Sequence, residues 1–313
     1  NLNELGNRDD ERLGTQMNQK IDLHTHSTHS DGRDSVASIF QTAAASGLTW
    51  IALTDHDSTA GWDEAAEASA RSGVGFVPGI EVTTRARVVG ADGETYRFGI
   101  HMLAYLPDPK NQALAGALKT SVESREHRLR EIVSRISQDF DVTWQDVLDQ
   151  LSEGATMGRP ALADALIAKG HFTQRGDVFD NLFYRGSKYH VPNTGVPETI
   201  EAIELIREAG GVPVIAHPLS RGKGPGPGDP MPLRHFEEMI EAGLAGFECH
   251  HRDVPDHARE WLLGLAEKHD LIVTGSSDYH GETGKPNRLG EHTTSPDMFE
   301  RILAQATGSK PVG

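Results

Sequence analysis

Histidines and carboxylates that can hold metal ions recur along this chain: His24 and His26, Asp55-His56-Asp57, Glu81, His101, His217, His250-His251, and Asp278 with His280. Each group ends or follows an apolar, β-rich run. Side chains two residues apart on a strand point to the same face, so His24/His26 and Asp278/His280 can each address one ion or two adjacent ones. Imidazole suits Zn, Mn or Fe, and a bridging carboxylate such as Glu81 can hold two cations together. The implied chemistry is hydrolysis by metal-activated water. Residue type alone decides little among sixteen histidines, and isolated ones such as His171 and His292 read as surface or core side chains. Placement is the stronger signal, because an ionisable group buried without partners is costly.

The runs that position these groups are IDLHTH (21–26), LTWIALTDHD (48–57), VGFVPGIEVTT (74–84), TYRFGIHMLAYL (95–106), GVPVIAHPLS (211–220), LAGFECHH (244–251) and LIVTGSSDYH (271–280). Helix-like segments such as SVASIFQTAAASG and PETIEAIELIREAG alternate with them, the pattern of βα units around a parallel sheet or barrel. Loops after the strand C-termini build the active site of such barrels. Residues 107–197 break the pattern: ALAGALKTSVESREHRLREIVSRISQDF, WQDVLDQL and GRPALADALIAKG carry apolar residues at helical spacing, the mark of a helical insertion. The expected organisation is a leader at 1–19 without periodicity, a barrel at 20–106 and 198–313, and an inserted helical subdomain at 107–197. RGKGPGPGDPMP (221–232) reads as a surface loop.

With 30 Lys+Arg against 46 Asp+Glu, the formal charge of -16 argues against broad attraction to duplex DNA or an anionic membrane. An anionic substrate must be drawn in locally. There is no membrane-length apolar run and no signal-peptide order, so a cytoplasmic protein is expected. The single Cys249 can form no internal disulfide.

The stretches DLHTHSTHSDG (22–32), TDHD (54–57), GIEVTT (79–84), IHMLAY (100–105), IAHP (215–218) and SDYH (277–280) together resemble the polymerase and histidinol phosphatase (PHP) family, and more closely its small bacterial branch acting on nucleotides. The resemblance implies an α/β fold, a distorted seven-stranded β/α (TIM-like) barrel carrying two to three divalent ions. It assigns His24, His26, Glu81 and Asp278 to one metal, Glu81 with His101 and His217 to a second, and Asp31, His56 and His280 to a third. Asp31 rests on the resemblance alone. So does the substrate role of Arg159, in a GRP motif at 158–160 where relatives often continue with His and this chain has Ala161.

The expected reaction is in-line attack on phosphorus by a water activated between the metals. Its substrate is a small phosphorylated molecule, a nucleoside 3′,5′-bisphosphate giving an AMP-like product, with short RNA ends as an extension. Arg159, Lys188, Arg221, Arg125 and Arg128 are candidate phosphate clamps. His251 is a candidate general acid for the leaving oxygen, or else a residue that orients a ligand. Asp22 is expected to orient a ligating imidazole, and Asp55 and Asp57 also read as plain loop residues. The competing functions are histidinol-phosphate hydrolysis, amide hydrolysis, and metal binding without catalysis. No strand-end lysine is available for the carboxylation that amide hydrolases of this architecture use.

Overall fold

The computed structural model describes residues 19–89, 93–184, 186–220 and 233–313; most of the expected leader and the loop at 221–232 lie outside them. The chain begins with β1 (Ile21–Thr25), α1 (Val36–Ala45), β2 (Trp50–Leu53), α2 (Trp62–Ser72), β3 (Gly75–Val89) and β4 (Thr95–Tyr105). Four helices follow: α3 (Gln112–Ile136), α4 (Trp144–Leu148), α5 (Arg159–Ala168) and α6 (Arg175–Leu182). The chain then runs through α7 (Thr199–Glu208), β5 (Val212–Ile215), α8 (Leu233–Glu241), β6 (Gly246–His250), α9 (Asp256–Lys268), β7 (Ile272–Gly275) and α10 (Pro296–Gln305).

The strands form one seven-stranded sheet in the order β1 to β7, the α/β architecture of a TIM-like barrel. Beyond the end of β7, Tyr279 bridges Thr25 of β1, with the His26 N–H donating to the Tyr279 carbonyl at 2.8 Å. The sheet departs from the parallel expectation at β4, which pairs antiparallel with both β3 and β5. A parallel crossover needs a dozen or more residues, and the β3–β4 connection is too short for one. β3 also runs five residues past the expected run, because Arg85–Val89 keep pairing with β4.

Local chemistry sets the helix ends. The Ser35 hydroxyl accepts from the Ser38 amide to cap α1, Asn111 caps α3 in the same way, and α5 opens on extended Gly158 with Pro160 in its first turn. At about 1.5 Å per residue, the 25-residue α3 spans two cores. Its first half, through Leu114 and Leu118, packs with Ile80, Val82, Ile203 and Phe247 against the sheet. Its second half, Leu129 to Ile136, packs with Val147, Leu162, Leu166, Val178 and Leu182, a core that α3 to α6 share. α3 thereby fixes the four-helix segment relative to the sheet.

Candidate metal centre

Strand alternation builds the centre from an apolar floor upward. Val77 shares its strand face with Glu81, and Leu103 and Tyr105 share theirs with His101, because side-chain directions repeat every two residues. Val77, Leu103, Tyr105 and Val214 pack together as the floor, and Glu81 and His101 stand further along the same faces. The β3–β4 register sets Thr83 opposite His101, and His101 Nδ1 lies 2.7 Å from Glu81 Oε1. His101 therefore reaches the centre from within a reversed strand rather than from a strand end. Asp57, His217 and Asp278 lie at positive φ (52°, 32° and 53°), a strained backbone region that concentrates at functional sites.

All nine residues assigned by the resemblance converge here. His24, His26, Glu81 and Asp278 bring ligand atoms within 4.8 Å of one another; so do His26, Asp31, His56 and His280, and so do His56, Glu81 and His101. His26 belongs to the first two groups, and His56 belongs to the last two. His217 Nε2 lies 3.1 Å from Glu81 Oε1. His24 Nε2 and His26 Nε2 face each other at 3.0 Å, and both lie 2.9 to 3.3 Å from Glu81 Oε2 and Asp278 Oδ1.

These spacings fit a metal. With bonds of about 2.1 Å, the edges of a coordination polyhedron measure about 3.0 to 3.4 Å. The buried atoms Asp31 Oδ1, His56 Nδ1 and His280 Nε2 also lack a hydrogen-bond partner of acceptable geometry, although Asp31 Oδ1 and His280 Nε2 are 3.2 Å apart. The donor set, imidazole with carboxylate, suits divalent cations. Burial alone would raise the Glu81 carboxyl, but His56, His101 and His24 hold it well below the ordinary carboxylate range.

A buried carboxylate absent from the sequence assignments, Glu248 on β6, supports the centre. Its Oε1 lies 2.9 Å from His24 Nδ1, and its Oε2 accepts the His217 backbone N–H at 2.7 Å. It thus fixes one imidazole so that Nε2 faces the cluster, and it anchors the strained backbone of another cluster residue. The signal was a charged side chain inside the apolar run GFECH, which must find a partner when buried. Asp22, expected in this role, instead accepts from the Ser277 and Gly290 amides at 3.0 and 2.8 Å, and burial pushes its carboxyl up to about 6. Asp55 ties down the loop after β1 by accepting from the Ser27 amide, the Ser27 hydroxyl and the Ser30 hydroxyl at 2.8, 2.7 and 2.6 Å. Lys285, which nothing in the sequence singled out, lies 2.8 Å from Asp278 Oδ2.

The expected clamps divide. Arg125 ion-pairs with Asp57 at 2.9 Å and donates to the Thr83 hydroxyl. Arg128 donates to the Val191 carbonyl at 2.7 Å, and Arg159 to the Phe183 carbonyl at 3.4 Å with its guanidinium over the Phe179 ring. Lys188 is exposed and ion-pairs with Asp139 at 2.8 Å, so the structure does not bring it to the centre. Arg221 lies outside the described residues. His251 is buried, with Nε2 3.7 Å from Asp278 Oδ2 and Nδ1 accepting from the Asp253 amide at 3.0 Å; neighbouring His250 is exposed.

A family model for the PHP domain matches residues 22–192, and this chain belongs to that family. It is a metal-dependent phosphoesterase, a hydrolase of phosphate esters. It is 31% identical over 275 residues to a 3′,5′-nucleoside bisphosphate phosphatase of Chromobacterium violaceum, a match covering 85% of this chain and 89% of the relative. It is 29% identical over 272 residues to a phosphoribosyl 1,2-cyclic phosphate 1,2-diphosphodiesterase of Eggerthella lenta, covering 86% and 97%. A crystal structure described as a metal-dependent phosphoesterase from Bifidobacterium adolescentis superposes with a TM-score of 0.83 at 40% identity, covering 92% of this chain and 97% of the other. Phosphoester chemistry replaces the amide-hydrolysis and non-catalytic readings. Among the described residues no helix is long and apolar enough to cross a membrane.

Proposed function

We propose that the protein removes the 3′ phosphate from a nucleoside 3′,5′-bisphosphate. One observation carries the choice of a substrate with two phosphates: arginines outside the nine residues of the centre crowd around Arg128. Arg128 is half-buried and has no ion pair with a carboxylate among the described residues, and burial, followed by Arg159, Arg125 and Arg85, pushes its guanidinium down to about 9. Crowded cations of this kind favour an anion between them. One phosphate is therefore assigned to the arginines and the reacting one to the centre. The bisphosphate phosphatase from Chromobacterium violaceum is in keeping with this choice.

In this reading His24, His26, Glu81 and Asp278 hold one divalent ion, Glu81 with His101 and His217 a second, and Asp31, His56 and His280 a third. Mn, Fe and Zn all suit these donors. Such ions supply Lewis acidity toward phosphoryl oxygens and a lowered pKa for water. Glu248 keeps His24 oriented. His251 Nδ1 accepts a backbone N–H, so the neutral ring carries its proton on Nε2, the atom that would donate a hydrogen bond to the leaving oxygen.

Incubating metal-loaded protein with 3′,5′-bisphosphoadenosine and measuring phosphate tests the proposal. Release is expected from the wild type and not from His26→Ala, and faster than from histidinol phosphate, a ribose 1,2-cyclic phosphate or a short RNA. Equal rates in the two proteins, or a strong preference for one of the other substrates, would overturn it.

A further inference from the structure

Asp31 reaches the centre from a loop rather than from a strand. Its Oδ1 lies 3.2 Å from His280 Nε2 and 3.6 Å from His26 Nδ1, and its Oδ2 lies 3.7 Å from His56 Nε2. Strand pairing holds Glu81 and His101, and Glu248 holds His24 and the His217 backbone, so these ligands are fixed from within the barrel. The loop after β1 has other supports. Asp55 secures its first half through Ser27 and Ser30, and the Thr28 amide donates to the Asp34 carbonyl at 3.0 Å, closing the loop on itself. A Cβ on Gly32 would run into the His26 carbonyl, so the turn beside Asp31 has room for glycine alone.

The inserted helices grip the same loop from outside the barrel. The Thr156 N–H, just before α5, donates to the His29 carbonyl at 2.9 Å. Asp164 on α5 is buried, and its carboxylate takes two arginines. Arg175, at the start of α6, donates from Nε and Nη2 at 2.7 and 2.5 Å as a two-pronged pair, and Arg33 of the loop also donates to it. Each arginine then touches the backbone of a ligand. Arg175 Nη1 donates to the Asp31 carbonyl at 3.3 Å, and the Arg33 N–H donates to the His280 carbonyl at 2.9 Å. One carboxylate on the insertion is thus linked, through two arginines, to two of the three residues assigned to the third ion. Burial alone would lower the Arg175 guanidinium, but Asp164, followed by Asp31, holds it above its ordinary range. A two-pronged arginine–carboxylate pair fixes orientation as well as adding strength, which is what holding a ligand in place requires.

We propose that Asp164 is a positioning residue for the third ion, holding Asp31 through Arg175 and His280 through Arg33, so that the insertion sets the affinity of that one position. The proposal rests on the three-ion reading of the centre. Wild type, Asp164→Ala, Arg175→Gln and Asp31→Asn, each stripped with chelator, are dialysed to equilibrium against increasing Mn2+. Bound ions are counted by mass spectrometry, and circular dichroism verifies the fold. Asp31→Asn loses the third ion. Asp164→Ala weakens that ion alone, by about 10- to 100-fold, and Asp164→Asn, which keeps one acceptor, falls between it and wild type. Arg175→Gln leaves the Arg33–Asp164 pair in place, weakens the same ion, and keeps the test open should Asp164→Ala misfold. The double variant Asp31→Asn/Asp164→Ala binds its remaining ions as Asp31→Asn does, because both changes act on one position. A merely structural brace would instead weaken every ion. Wild-type affinity for all ions in folded Asp164→Ala or Arg175→Gln, or a loss spread over several ions, overturns the proposal. If Asp31→Asn keeps every ion, the third position falls and the proposal with it; a loss in Asp31→Asn without one in Asp164→Ala removes the proposal alone.

Discussion

Replacing Glu248 by alanine removes a fully buried carboxylate that serves two elements of the centre at once. It holds His24 Nδ1 at 2.9 Å and the His217 amide at 2.7 Å. A hydrogen bond to a charged group contributes about 1.5 to 3 kcal/mol, and a buried donor left unpaired costs about 1 to 3 kcal/mol. Without the carboxylate, His24 is free to rotate Nε2 away from Glu81 and Asp278, and the positive-φ backbone of His217 loses its anchor. Loss of a carboxylate that orients a ligating imidazole lowers metal affinity by about 10- to 100-fold. Calorimetric titration of chelator-stripped protein with Mn2+ reads this directly, with circular dichroism to verify the fold. Glu248→Gln, which keeps one acceptor, falls between wild type and alanine. Wild-type Mn2+ affinity in a folded Glu248→Ala protein would refute the assignment of Glu248 as the residue that sets His24.

Other outcomes follow from the same geometry. Arg128→Met raises KM for the bisphosphate by about 10- to 100-fold with kcat little changed, because the proposed function assigns Arg128 to the phosphate that does not react; a fall in kcat at constant KM would contradict this in steady-state kinetics. Asp164→Ala strands Arg33 and Arg175, which both bond to it, and Arg175 also donates to the Asp31 carbonyl at 3.3 Å; urea unfolding is expected to show a loss of about 2 to 4 kcal/mol, and an unchanged midpoint would count against this brace. Burial, then Glu248, pushes the Cys249 thiol up to about 12, so near pH 8 only about one part in ten thousand is thiolate and a disulfide reagent stays silent until guanidinium unfolds the chain. Rapid labelling of the folded protein would contradict that burial.

The sequence carried the parts of the fold that depend on local pattern. Seven apolar runs became seven strands, and the two-residue spacing of His24 and His26 brought both rings to one carboxylate pair, Glu81 and Asp278. Long-range pairing was less visible. The reversal of β4 followed from connection length rather than composition, and His101 reached the centre through its register with Thr83. Glu248 meets His24 across 224 residues, a pairing that no spacing rule expresses. Asp31 and Lys285 lie on loops where periodicity says nothing, and only the likeness of HSDG to a known segment pointed to Asp31. Charge alone does not place Lys188, because an exposed lysine in a turn pairs with whichever acid is near, here Asp139.

The centre is most directly tested by counting metal ions in wild type and in His26→Ala by mass spectrometry after reconstitution with Mn2+ and desalting. His26 belongs to two of the ligand groups, so its loss weakens two ion positions at once. Two or three ions per chain are expected in the wild type and at least one fewer in the variant. One ion or fewer in the wild type, or the same number in both proteins, would contradict a multinuclear centre built on His26.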